Sequence, residues 1–274
     1  MTSSLNKSLV TLAARFFCLL LLGPFLTLPL PAVAGQTDIP TTRAFVPGEK
    51  LVFELRWAFI TAGTATLEVL PMETIDGQPA YHFSLAAKSN AFLDSLYMVR
   101  DQIDAFADDR LTRSLHYLKK QHEGTTIRDI EVRFDWENLK TRYLKTEKGG
   151  GEDKLTPVMP GSFDPLSAFY FVRDADKVNV GTVVESPITD GKKNVIGRAT
   201  IVKRETIKVK GTAYDTFLVE PELKHVGGVF EKSENASIQI WVTADHRRVP
   251  VRLKSKVIVG SFVGDLISAE GLAP

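Results

Sequence analysis

From Glu49 onward, polarity along this chain alternates with a period of two, and that period restricts the fold to sheets with one buried face. Leu51, Phe53, Leu55 and Trp57 share one side of a strand, while Lys50, Glu54 and Arg56 share the other. Ala65, Leu67 and Val69 continue the pattern against Thr64, Thr66 and Glu68. Ala62-Gly63 lies between the two runs and is the expected reversal, because glycine tolerates a sharp turn. Tyr81, Phe83 and Leu85 follow the turn dipeptide Asp76-Gly77, and Ile130, Val132, Phe134 and Trp136 alternate with Glu131, Arg133 and Asp135. Further runs fall at about 97–106, 113–122, 139–146, 180–188, 193–207, 213–220, 236–243, 249–258 and 261–269, with hairpin tips at Asp190-Gly191 and Lys210-Gly211. The expected fold is mainly β. About a dozen strands form a large curved antiparallel sheet or half-open barrel, with one or two short helices.

Two segments break the period. Asn90 to Leu96 fits a helical turn, and a clearer helix begins at Asp164, which can cap it. Pro165 suits the first helical position, and Leu166, Phe169, Tyr170 and Arg173 recur at helical spacing. Before that helix, Gly149-Gly150-Gly151 and Pro157 to Gly161 predict a flexible loop of roughly fifteen residues. Residues 45–270 are expected to form a single domain, preceded by a loose arm over 35–44.

Residues 1–34 read as an export leader. Lys7 and Arg15 precede an apolar run from Phe16 to Leu30, and Ala32-Val33-Ala34 supplies small residues before a cut at Gly35. Pro24, Pro29 and Pro31 argue against a retained membrane helix. Cys18, the single cysteine, follows Arg15-Phe16-Phe17 without the small residues of a lipid-modified site, so a lipoprotein is not expected. The processed chain is then a periplasmic protein with no thiol and no transmembrane segment. It carries 32 basic against 33 acidic side chains, too little positive charge for nucleic-acid binding.

The signposts of catalysis are sparse. His82, His116, His122, His225 and His246 are scattered, and His122-Glu123 lacks a second histidine one helical turn on, so no metal and no cofactor is expected. There is no Gly-x-Ser-x-Gly elbow and no glycine loop closing on Lys-Ser/Thr. Asp101, Asp104, Asp108, Asp109 and Asp164 are the carboxylates from which a glycosidase pair would have to come. Asp164 is already explained as a cap, and Asp108-Asp109 as a turn.

Pro47-Gly48-Glu49-Lys50-Leu51, then Trp57 and Ala62-Gly63-Thr64-Ala65, resemble the opening of the exported bacterial proteins grouped as domain-of-unknown-function family 3108. Phe163-Asp164-Pro165-Leu166-Ser167-Ala168 with Tyr170 and Arg173, Val209-Lys210-Gly211 with Tyr214, and Trp241 with Asp245, Arg247, Arg248, Pro250 and Val251 extend the resemblance over about 45–270. It implies an envelope protein built on a curved antiparallel sheet, and carries no catalytic residues with it.

The aromatic residues supply the functional expectation. A sheet this wide either fills its concave face with its own side chains or leaves room for an apolar ligand. Phe53, Trp57, Phe83, Phe169, Tyr170 and Trp241 are the expected apolar lining, with Leu166, Phe169 and Tyr170 as plug or gate. Arg173, Arg248 and Arg252 are the candidate seat for an anionic or polar head group. The expected function is non-catalytic: binding or carrying a lipid or lipid-linked glycan of the cell envelope. A structural or adaptor protein with an envelope-protein partner, and a polysaccharide hydrolase, are the alternatives.

Overall fold

A computed structural model of the chain describes residues 43–222, 237–257 and 260–274. The expected leader, residues 35–42 of the arm, and His225 lie outside them. The first eight strands are β1 (Lys50–Trp57), β2 (Ile60–Ile75), β3 (Gln78–Ser89), β4 (Val99–Asp108), β5 (Ser114–Glu123), β6 (Thr126–Asp135), β7 (Lys140–Glu147) and β8 (Gly150–Pro157). After them come β9 (Val183–Thr189), β10 (Asn194–Val209), β11 (Thr212–Pro221), β12 (Ser237–Thr243), β13 (Pro250–Val257) and β14 (Gly260–Glu270). Helix α1 (Ala91–Asp94) joins β3 to β4, and α2 (Pro165–Arg173) lies between β8 and β9.

All fourteen strands form one unclosed antiparallel sheet, in the order β8-β7-β6-β5-β4-β3-β2-β1-β14-β13-β12-β11-β10-β9. Strands adjacent in the sheet follow one another in sequence, except β1 and β14, which pair in mid-sheet. Two expectations are corrected here. The reversal between β1 and β2 sits at Ala58, whose φ is 53°, and not at Gly63. Gly63 is instead a point of close approach, since a Cβ there would lie 2.0 Å from the Lys88 carbonyl oxygen. The flexible loop expected at 149–161 is largely the hairpin strand β8, paired with β7 from Glu147↔Gly150 to Lys140↔Pro157. Its glycines turn the hairpin: Gly149 has a φ of 101°, a value that favours glycine.

The sheet rolls until its two edges meet. The β9–β10 turn rests against β6 and β7, where a Cβ on Gly191 would lie 2.7 Å from Val132 Cγ2 and Thr141 Oγ1 donates to the Gly191 carbonyl at 3.3 Å. No ladder joins β8 to β9. The segment before α2 spans the gap: Phe163 N donates to Pro187 O at 2.9 Å, and Thr189 N to Phe163 O at 2.8 Å.

Helix α2 lies inside the roll. Asp164 caps it, accepting from Leu166 N and Ser167 N, both at 2.9 Å, and from the Ser114 and Ser167 hydroxyls at 2.5 and 2.6 Å. Tyr170, fully buried, stacks on Phe83 with centroids 3.9 Å apart and meets Phe45 edge-on at 4.9 Å. Such aromatic pairs add about 0.5–1.5 kcal/mol each beyond the burial of their area. Of the expected loose arm, Arg43 and Ala44 are tied down: Arg43 Nη1 meets Asp174 Oδ2 at 2.5 Å, and Ala44 N donates to Asp174 Oδ1 at 2.8 Å.

Candidate functional site

With α2 and Phe45 closing one end of the roll, the concave face toward the other end decides what the protein can hold. Register fixes its composition. The row beside α2 is apolar, running Phe83, Ala105, Tyr117, Val132 and Tyr143 across β3 to β7. One step along, the row reads Leu85, Ile103, Lys119, Ile130 and Lys145, and the next reads Ala87, Asp101, Gln121, Arg128 and Glu147. This wall turns from apolar to charged toward the open end. The facing wall stays apolar: Leu55 pairs with Gly264, Gly264 with Leu253 and Leu253 with Ile240, and Trp57 pairs with Phe262.

Small residues widen the space between the walls. Ala65, Ala87 and Gly264 lie on the inward face at positions where larger residues would fill the roll. In keeping with this, Leu55, Leu85 and Ile130 pack against the core without being sealed by it, and Trp57, Leu253 and Phe262 are also half-buried.

The charged wall is itself buried. Asp101, Lys119, Gln121 and Glu123 are between 2% and 5% exposed, an unusual density of polar groups on an inner face. Asp101 Oδ1 accepts from His122 N at 3.1 Å, and Gln121 Nε2 donates to Glu123 Oε1 at 3.2 Å. Gln121 Oε1 is buried with no hydrogen-bond partner. The Glu123 carboxyl is pushed up to about 7, first by burial, then by the charge of Asp101 and a hydrogen bond with it, against the opposing pull of Lys119 and Gln121. Below that pH Glu123 holds a proton. Arg128 and Lys145 both hold Glu147, at 2.8 and 2.7 Å, and lower its carboxyl to about 2.

The residues singled out from sequence fall into two groups. Trp57 is half-buried near the end of β1, stacked on Phe262 at 6.2 Å. Phe83 and Tyr170 are sealed in the core, Phe53 is buried beside them, and Phe169 packs edge-on against Tyr170 at 5.4 Å. Trp241 is buried with its indole N–H on Glu205 Oε1 at 2.8 Å. The three arginines are all engaged by the protein. Arg173 grips Glu49 inside the core, Arg248 donates to the carbonyls of Arg173 and Ala175, and Arg252 Nε meets Asp265 Oδ1 at 2.6 Å.

The carboxylates weighed for hydrolysis are not gathered. Asp101 faces inward, whereas Asp104 bonds His82 Nε2 at 3.1 Å on the other face, and Asp164 is consumed by its cap. Burial raises the Asp164 carboxyl, opposed by the bonds from Ser114 and Ser167. Among the described residues no group of three or more His, Cys, Asp or Glu is placed to hold a metal. A groove lined by Gln78, Asp108, Arg110 and Arg113 lies at the α2 end, where Asp108 accepts from Thr112 N at 2.6 Å and Arg113 sits 5.2 Å over the Trp136 ring.

Lys119, Gln121 and Glu123 were not among the sequence candidates. Their signal is the phase of β5: Leu115 and Tyr117 set the buried parity, and the next three residues of that parity are polar.

Three comparisons bear on this architecture. A family model described as protein of unknown function (DUF3108) matches residues 52–267. A crystal structure of a β-barrel-like protein of domain of unknown function DUF1849 from Brucella abortus superposes with a TM-score of 0.54 at 10% identity, covering 84% of this chain and 99% of that one. A protein from Parabacteroides distasonis reaches a TM-score of 0.31 at 12% identity over 84% of this chain and 99% of its own. No curated protein matches the chain.

Proposed function

We propose, for a chain that belongs to the DUF3108 family of proteins of unknown function, that the open end of its rolled sheet holds an amphipathic molecule of the cell envelope, such as a lipid or a lipid-linked glycan. The apolar portion lies along Leu55, Leu85, Trp57, Leu253 and Phe262. The polar portion meets Lys119, Gln121, Asp101 and Glu123. The observation that supports this reading is the division of one concave face into an apolar wall and a charged wall. Four polar side chains in the lining each cost desolvation, and the bonds they make within the protein leave Gln121 Oε1 unmet. The unpartnered Gln121 Oε1 calls for a hydroxyl or amine donor, which a sugar or a lipid head group supplies. The protein works in the periplasm as a carrier or sensor without chemistry of its own.

Native mass spectrometry of protein purified from the periplasm tests this, together with titration of a hydrophobic dye. A bound lipid-sized mass, and dye uptake lost in Leu85→Asp, are the expected results. Protein that is empty from every source and takes up no dye overturns the reading.

A second reading rests on β8. It is an edge strand with Leu155 exposed at 63%, and a protein partner can add a strand there. Crosslinking to one dominant envelope protein, lost in Leu155→Lys, is its expected signature; an unchanged crosslink pattern removes it.

A further inference from the structure

The end of the roll at which the hollow opens carries apolar side chains that the fold holds outward. Phe59 at the β1–β2 turn is 90% exposed, Phe92 on α1 61% and Leu96 just after it 63%. Ile60 and Ile127, at the first turns of β2 and β6, are exposed at the same end. These residues come from three separate connections, so their shared position follows from topology and not from one greasy stretch of sequence.

Their outward position is built. Asn90 caps α1 by accepting from Leu93 N at 3.0 Å, and its amide donates to Thr61 O at 2.7 Å, tying the helix to the start of β2. Asp94 is held by Arg100 Nη2 at 2.6 Å. Ala58 N donates to Ser261 O at 2.9 Å, which fixes the turn that carries Phe59. With their backbones satisfied, Phe92, Leu96 and Phe59 have no local route to burial.

Among the described residues behind these tips, exposed lysines outnumber exposed unpaired carboxylates. Lys88, Lys148, Lys254 and Lys256 are exposed at or near this end, on β3, the β7–β8 turn and β13. Among the described residues, Asp94 is compensated by Arg100, Glu147 by Arg128 and Lys145 and Asp265 by Arg252, Glu123 is buried, and Asp129 on β6 is exposed. Apolar tips with lysines behind them match the boundary of an anionic bilayer, where rings and methyls enter the interface and ammonium groups meet phosphate.

We propose that this rim docks on the surface of an anionic phospholipid bilayer, with Phe59, Phe92 and Leu96 entering the interface and the hollow facing the lipid. The proposal rests on the carrier reading, because it supplies the route by which an amphipathic guest enters and leaves without crossing water.

Flotation of the purified protein with vesicles of phosphatidylcholine containing phosphatidylglycerol, and with phosphatidylcholine alone, tests it. The wild type should float with the anionic vesicles, and Phe59→Ser with Phe92→Ser should weaken partitioning at least about tenfold, the loss expected for removing two rings from an apolar contact. The double variant should still take up hydrophobic dye, which shows that it is folded and that its hollow is intact. No flotation of the wild type, or undiminished flotation of the double variant, overturns the docking proposal. So does a dimer in sedimentation velocity that the double variant dissolves while the wild type ignores vesicles, since the rim would then face a second copy. Leu85→Asp separates the two readings. If neither it nor the wild type takes up dye yet both float, the carrier reading fails and docking stands.

Discussion

Arg173 and Glu49, 124 residues apart, form a two-point ion pair in the core, their side chains 1% and 0% exposed. Arg173 Nη2 meets Glu49 Oε2 at 2.8 Å, and the same guanidinium donates to the Ala44 and Arg247 carbonyls at 3.2 and 2.9 Å. The pair thus fastens the end of α2 to the start of β1 and to the β12–β13 turn. Removing one partner leaves a buried charge alone, so Glu49→Gln and Arg173→Met should each cost about 3–5 kcal/mol in urea denaturation. Glu49→Leu combined with Arg173→Met should recover a large part of that loss. A double variant as unstable as the sum of the singles would show that the bonds to the carbonyls, and not the ion pair, carry the effect.

The two aromatics at the ends of the roll should differ sharply. Tyr170→Ala removes a fully buried ring in contact with Phe83, Phe45 and Phe169, and should cost about 3–5 kcal/mol. Trp57 is half-buried and stacks on Phe262, so Trp57→Ala should cost about 1 kcal/mol. Equal losses would mean that the hollow beside Trp57 is filled.

Asp164→Ala should cost about 2–4 kcal/mol, because it strips the α2 cap and leaves the Ser114 and Ser167 hydroxyls and two amides without their acceptor. Asp164→Asn keeps the cap acceptor and should cost less. If the two substitutions cost the same, the carboxylate's charge and not its cap geometry is what matters.

Stability should also depend on pH through Glu123. Its carboxyl ionises near 4.5 in the unfolded chain and at about 7 in the folded one, so across that window the folded state holds a proton that the unfolded chain has released. Stability therefore falls as pH rises from about 4.5 to about 7, and the loss is complete above it. Glu123→Gln should flatten the slope of melting temperature against pH in this window. His82, raised by its bonds to Asp104 and Glu73 despite its burial, contributes stability below 6.5 that is lost as pH climbs through its own folded value, so some slope above 6.5 should survive in the variant. An unaltered slope between 5 and 6.5 would place the proton elsewhere.

Local chemistry announced much of this fold. Helix α2 begins and ends where Asp164, Pro165 and Arg173 predict, and the tips at Asp76-Gly77, Asp190-Gly191 and Lys210-Gly211 are all turns between strands. What one strand cannot announce is its neighbour. Gly63 reads as a turn residue until Lys88 O is seen against it, and Gly149-Gly150-Gly151 reads as a linker until β8 is seen pairing with β7. The arginines show the same limit: Arg173 and Arg252 grip carboxylates and Arg248 grips carbonyls within the fold, partners that the sequence alone does not reveal. The charged wall was only half legible: the phase of β5 places Lys119, Gln121 and Glu123 on the buried side, but Asp101, Arg128, Lys145 and Glu147 join them from β4, β6 and β7 through register that one strand does not reveal.

The pairing of β1 with β14 has a consequence for the birth of the molecule. Phe53 meets Leu266 across that ladder, and Leu51 meets Ala269, so the second neighbour of β1 leaves the ribosome some two hundred residues after β1 itself. For all that interval an apolar strand stands with one row of amides and carbonyls uncovered, an invitation to any passing chain. Assembly of this sheet is thus a slow, non-local event, and a holding chaperone that shields the waiting strand would set its yield.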